Sequence, residues 1–189
     1  RHHPGHEMND QSFSLQPFSP FSPLLSLKIT GNIALRSHTL AIRYALLGPL
    51  TKLVIPAPAN NPARMSGLWE ETCFELFLAV KHSPRYWEFN LSPAGHWNVY
   101  RFAAYRQGMQ EEKGFPSLPF RVQSQSDSLL LDLELDLAKI VQPDQPLEVA
   151  LSAVIKFRDA EMTYWALTHR GQQADFHRRD GFIVELSSF

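Results

Sequence analysis

The feature that most constrains this chain is a hydrophobic period of two. Leu40, Ile42, Tyr44 and Leu46 alternate with Ala41, Arg43 and Ala45, and Phe74, Leu76, Leu78 and Val80 alternate with Cys73, Glu75, Phe77 and Ala79. A third run sets Trp87, Phe89 and Leu91 against Tyr86, Glu88 and Asn90. Successive side chains of a strand point to opposite faces, so such runs describe ribbons with one face on a core. Further runs begin at His96, Leu129, Val149, Thr163 and Phe182, and turn residues such as Ser92-Pro93-Ala94-Gly95 lie between them. No long stretch carries the 3.6 period of an amphipathic helix, and 14 prolines against 9 glycines break what helix could start. Strands of this kind bury their apolar faces by stacking two sheets. The expected fold is therefore all-β, an antiparallel β-sandwich, jelly-roll-like with immunoglobulin-like packing of its two sheets. Residues 102–109 and 137–141 are predicted as single helical turns, and the proline-rich stretch 56–62 as a surface loop delivering the chain to Trp69.

A length of 189 residues suits one sizeable core better than two. The predicted organisation is one domain over 24–189, preceded by an extension at 1–23 that is rich in Ser, Pro, Gln and Phe. The histidines His2, His3 and His6 fall in that extension and are set aside as site residues. A formal net charge of -1 leaves no basic field to displace phosphate counterions, which argues against nucleic acid as a partner. No apolar run approaches the ~20 residues of a membrane span, and no secretory signal is evident, so a cytoplasmic location is expected and a membrane partner is not. The single cysteine, Cys73, excludes an internal disulfide and a cysteine-rich zinc site.

Parity places Glu75 on the face of its strand opposite Phe74 and Leu76, and it places Glu88 and Asn90 opposite Trp87 and Phe89. If the two strands pair, Glu75, Tyr86, Glu88 and Asn90 share one surface. Alternation with polar residues outward is also how a plain solvated face looks. Aromatics nearby give the surface a use: Trp69 precedes the Glu75 strand, and Trp97 and Tyr100 follow the turn at Gly95. A ring standing beside carboxylates and amides can stack on the apolar face of a sugar while they bond its hydroxyls. Trp87 is assigned to the core. The stretch from Tyr164 to Asp180 gathers a second set, including His169, Asp175, Phe176 and His177. His169, Asp175 and His177 have the composition of a two-histidine, one-carboxylate metal site, and Asp175 equally suits a local turn. No nucleophile elbow, phosphate loop or zinc-protease motif occurs.

The block Leu68-Trp69-Glu70-Glu71-Thr72-Cys73-Phe74-Glu75-Leu76-Phe77-Leu78 resembles the DOMON-like domains related to family 9 carbohydrate-binding modules. The likeness continues through Tyr86-Trp87-Glu88-Phe89-Asn90-Leu91-Ser92-Pro93-Ala94-Gly95 to Tyr100-Arg101-Phe102, and again at Asp175-Phe176-His177. The resemblance implies a β-sandwich whose sugar site is clamped by two tryptophans, with polar side chains on the sugar hydroxyls. Trp69, Glu75 and Asn90 match that pattern, Glu88 stands where an arginine is expected, and Phe176 stands near the second tryptophan. Sugar-binding members tend to hold structural calcium, and another branch binds haem through Met and His, for which Met65 with His169 or His177 is the available pairing. No cofactor is expected from the residues themselves.

The expected function is a non-catalytic module binding a small polar ligand, most naturally a saccharide. Its expected site residues are Trp69, Glu75, Glu88, Asn90, Trp97, Arg101, Phe176 and His177, with none catalytic. The alternatives are a metal- or carboxylate-dependent glycan-processing enzyme using Glu75 and Glu88 or the His169 region, a haem-binding domain, and a structural interaction domain.

Overall fold

The computed structural model describes residues 10–19, 26–159 and 161–187, and among them every regular element longer than a single helical turn is a strand. Twelve strands follow in chain order: β1 (Asp10–Pro17), β2 (Lys28–Arg36), β3 (Thr39–Leu47), β4 (Cys73–Val80), β5 (Tyr86–Leu91) and β6 (Trp97–Phe102). Then come β7 (Gln110–Glu111), β8 (Phe120–Ser124), β9 (Ser128–Asp136), β10 (Leu147–Lys156), β11 (Met162–Ala166) and β12 (Val184–Leu186). Every pairing between them is antiparallel. One sheet has the order β8-β9-β3-β2-β1 and the other β7-β6-β5-β4-β10-β11, with β12 on the free edge of β10 beyond β11. The all-β antiparallel sandwich expected from the alternation is the fold observed.

β1 joins the two sheets. Asp10 to Leu15 pair with β2, and then Gln16 and Pro17 pair with Ala166 and Trp165 of β11. This corrects the reading of residues 1–23 as an extension apart from the fold: residues 1–9 and 20–25 lie outside the described residues, but 10–17 complete the sandwich. Phe13 and Leu15 drive this by pointing inward while Ser12 and Ser14 stay outside. Phe13 lies across Gly31 of β2, where a Cβ would stand 2.4 Å from its ring and 2.0 Å from the Arg43 carbonyl. Only glycine gives the strand room to pass there.

The core fills the space between the sheets. Ile29, Ile33, Leu40, Tyr44 and Leu46 meet Phe74, Leu76, Phe89, Val99, Leu151 and Trp165, all nearly inaccessible to solvent. Burying a side chain of this kind contributes about 2–3 kcal/mol. Tyr44 reaches across the layer, packs on Phe13 and Phe74, and donates from its hydroxyl to the Glu75 carbonyl at 2.7 Å. That bond fixes the depth of β4 directly beneath the polar residues on its other face.

The second sheet is buried on both faces. The chain after β11, residues 167–183, folds back over its outer side and lays Phe176 and Phe182 against Phe77, Tyr86, Tyr100 and Phe102 in a second, smaller apolar cluster. Arg179 pins this segment by donating to Glu148 at 3.0 Å and to the Val80 and Ser83 carbonyls.

Candidate functional site

Between that segment and the sheet lies a cleft of about 420 Å³, lined by Trp69, Glu75, Glu88, Phe102, Arg106, Met109, Val154, Tyr164, Ala174, Phe176 and His177. The register of the strands explains its floor. Glu75 pairs with Asn90 and with Ser152, and Asn90 in turn pairs with Asn98; one step along, Phe77 pairs with Glu88 and Glu88 with Tyr100. Since paired residues share a face, Glu75, Glu88, Asn90 and Ser152 project together. Tyr164 of β11, paired with Val154, extends the same face toward the segment. Trp69 reaches the rim on a short 3-10 turn, Leu68–Glu70, entered through Gly67 at φ 75°, and meets the edge of Tyr100 with ring centroids 6.1 Å apart. Across the cleft Phe176 stands edge-on to Tyr164 and Phe77.

The polar floor is not a solvated surface. Glu75 is 2% exposed, Glu88 5% and Asn90 0%. Taking a carboxylate out of water disfavours its charge, so each carboxyl titrates high. Burial pushes Glu88 up to about 7, against the opposing influence of the Asn90 amide and the Arg106 charge. Burial, and then the charge of Glu88, raise Glu75 well above the ordinary carboxylate range. Asn90, with its amide nitrogen toward Glu88, donates to Oε2 at 3.0 Å. No side chain among the described residues donates to the Glu75 carboxyl. Beside it the Ser152 hydroxyl is buried without a partner.

His177 forms one wall, gripped edge-on by Phe77, Tyr86 and Phe102 at centroid distances of 5.1 to 5.8 Å. Burial, with Arg106 nearby, lowers it to about 4, so near neutral pH the ring is uncharged. The Arg106 amide donates to the Tyr86 hydroxyl at 3.0 Å, and that hydroxyl is hydrogen-bonded to His177 Nδ1 at 2.8 Å. Nε2 faces Glu88 Oε1 at 3.6 Å. With Glu88 near 7 and His177 near 4, this contact joins two groups that are mostly neutral around pH 6 rather than an ion pair. Arg106 is engaged elsewhere: its guanidinium donates to Asp175 at 2.8 Å, and the Tyr105 hydroxyl donates to the same carboxylate. Burial alone would raise Asp175, but the bonds from Tyr105, Arg106 and the His177 amide outweigh it and hold the group below its usual range.

The expected residues thus divide. Trp69, Glu75, Glu88, Phe176 and His177 converge on the cleft, and Asn90 backs it through Glu88. Trp97 and Arg101 do not. Trp97 pairs with Leu91 and is 4% exposed in the central core, with the Arg64 guanidinium 4.5 Å from its ring centroid. Arg101 pairs with Trp87, on the opposite parity to Tyr100 and Phe102, and donates to Gln110 at 2.7 Å. The metal triad does not assemble: His169 bonds the Gln16 carbonyl at 2.7 Å, while Asp175 accepts from the His177 amide in a local turn. Among the described residues no group of three His, Cys, Asp or Glu could hold a metal ion. Met65 is exposed on the loop ahead of Trp69 and does not line the cleft. Arg106 and Tyr164 were missed as site residues. Tyr164 was readable from strand parity, whereas Arg106 sits in a turn at φ 54°, where periodicity gives no direction.

No protein-family model matches the chain, and no curated protein sequence does. Solved structures share its fold. A candidate carbohydrate-binding protein from Bacteroides uniformis ATCC 8492 superposes with a TM-score of 0.68 at 13% identity, covering 94% of this chain and 85% of its own. A family 9 carbohydrate-binding module from Caldicellulosiruptor kristjanssonii, in complex with cellotriose, gives 0.58 at 11% identity over 95% of this chain and 82% of the other. The same module in complex with glucose gives 0.58 at 11% identity, covering 95% and 84%. At these identities the likeness is one of fold: a β-sandwich shared along almost the whole length of this chain.

Proposed function

We propose that this chain is a non-catalytic module that binds a small saccharide in the cleft on the outer face of its second sheet. The observation that carries the reading is the cleft itself: aromatic rings at the rim above two buried carboxyls at the floor. A sugar presents an apolar ring face and a belt of hydroxyls, and Trp69 with Phe176 and Tyr164 supplies surface for the first. Glu75 and Glu88 supply hydrogen-bond capacity for the second. The resemblance of the Trp69–Leu78 and Tyr86–Gly95 blocks to the DOMON-like and family 9 group supports it, as does the fold shared with a module solved with cellotriose and with glucose.

Glycan-array screening followed by isothermal titration tests the proposal. A saccharide ligand should emerge whose binding Trp69→Ala abolishes or weakens strongly and Lys113→Ala, at an exposed position outside the cleft, leaves intact. An array with no binder refutes it. The carboxyl pair also favours a second reading, acid–base cleavage of a glycosidic bond, because a carboxyl titrating near 7 is suited to donate a proton. Release of reducing ends from a glycan panel, lost in Glu88→Gln, would establish that reading in place of the first.

A further inference from the structure

We propose that the ligand's anchoring group is a cation, an ammonium such as an amino sugar carries, seated between Glu75 and Glu88 beneath the aromatic rim. The inference rests on the saccharide reading and names the class of sugar. Two carboxyls lie on adjacent strands, 2% and 5% exposed, and among the described residues neither is bonded to an arginine or a lysine. Only two of the residues lining the cleft could carry positive charge: Arg106, whose charge acts on Glu88 without a bond to it, and His177. Arg106 is bound to Asp175. His177 is hydrogen-bonded through Nδ1 to the Tyr86 hydroxyl and stands 3.6 Å from Glu88, in a cage of three aromatic rings that disfavours its charge.

Glu75 is the sharper indicator. It is a carboxyl 2% exposed that opens onto the cleft, and no side chain among the described residues donates to it. Groups buried at such cost are ordinarily satisfied, so the missing donor belongs to what the cleft receives. A neutral hydroxyl would satisfy one oxygen and leave the carboxyls holding their protons, whereas a cation between them draws those protons off. An ammonium brings three donors and the compensating charge. The rings of Trp69, Phe102, Tyr164 and Phe176 line the same cleft, and a ring that turns its face to a desolvated cation holds it further.

The test is isothermal titration at pH 6.5 and fixed ionic strength with three probes: the β-1,4 disaccharide of glucosamine, its N-acetylated counterpart and cellobiose. The amine disaccharide should bind about tenfold or more tighter than either neutral probe. Glu75→Gln should reduce that preference to about twofold or less, and Glu88→Gln provides the same comparison should Glu75→Gln not fold. Neutral probes binding as tightly as the amine overturn the inference and leave the saccharide reading standing. A preference that survives both substitutions also overturns it, because the cation then sits elsewhere. If none of the three binds, the inference fails, and the glycan array decides the saccharide reading separately.

Discussion

Replacing Glu88 by glutamine should make the protein more resistant to alkali. A group whose folded pKa is raised contributes stability that is complete below its unfolded value and is lost as pH rises through the folded one. For Glu88 the two values are 4.5 and about 7. Each unit corresponds to about 1.4 kcal/mol, so the unprotonated carboxylate costs about 3 kcal/mol once the pH exceeds 7. Glutamine keeps the shape and the acceptor for Asn90 but has no charge to desolvate, and it removes one cause of the raised Glu75. His177 works against the carboxyls: lowered to about 4, it destabilises the fold as pH falls below 6.5. Absolute profiles therefore superimpose opposing slopes, and the informative quantity is the difference between variant and wild type. Urea unfolding followed by tryptophan fluorescence at pH 4.5, 6, 7.5 and 9, at one ionic strength, measures it. From pH 4.5 to pH 9 the Glu88→Gln protein should gain about 3 kcal/mol on the wild type, a relative midpoint shift of about 1.5 M. A difference that stays flat across that range, or moves the other way, refutes the assignment of a buried, proton-holding pair.

Trp69→Ala should weaken saccharide binding about 30-fold, about 2 kcal/mol of ring contact, and lower Tm by only a few degrees because the side chain is 38% exposed; titration and thermal melting read the two effects. Trp97→Ala should do the reverse, costing about 3–5 kcal/mol in chemical unfolding while the folded fraction keeps its affinity, since Trp97 packs the core rather than the cleft. Tyr44→Phe loses the bond to the Glu75 carbonyl and should cost about 1 kcal/mol, a fall in Tm of about 2–4 °C by calorimetry.

The fold was legible because a two-residue period survives wherever one face of a strand meets the core. It failed at β1, where Phe13 and Leu15 alternate with serines inside a stretch whose proline and serine content suggested a tail. Residues 137–141 form the expected helical turn at Leu137–Lys139, whereas 102–109 become an irregular turn with Arg106 and Gly108 at positive φ. The site was readable to the extent that parity determines it: Glu75, Glu88 and Asn90 share a face in any register that sets the apolar faces of β4 and β5 together. Trp97 and Arg101 needed the actual pairing of β5 with β6, which sets them opposite Leu91 and Trp87 and so away from Glu88. That the polar face would be buried was not visible at all. It depends on residues 167–183 returning across the sheet, held by Arg179 on backbone carbonyls, and backbone acceptors leave no signature in a sequence.

The central claim is that a sugar enters between the aromatic rim and the buried carboxyls. The most direct measurement is a crystal structure of the protein with the tightest saccharide from the array. The account predicts the sugar ring against Trp69, with Phe176 and Tyr164 lining the same cleft and a polar group of the ligand within hydrogen-bond reach of Glu75 or Glu88. A sugar bound on the outer face of the first sheet, around Asn32, Arg43 and Asp132, with the cleft empty, would contradict it.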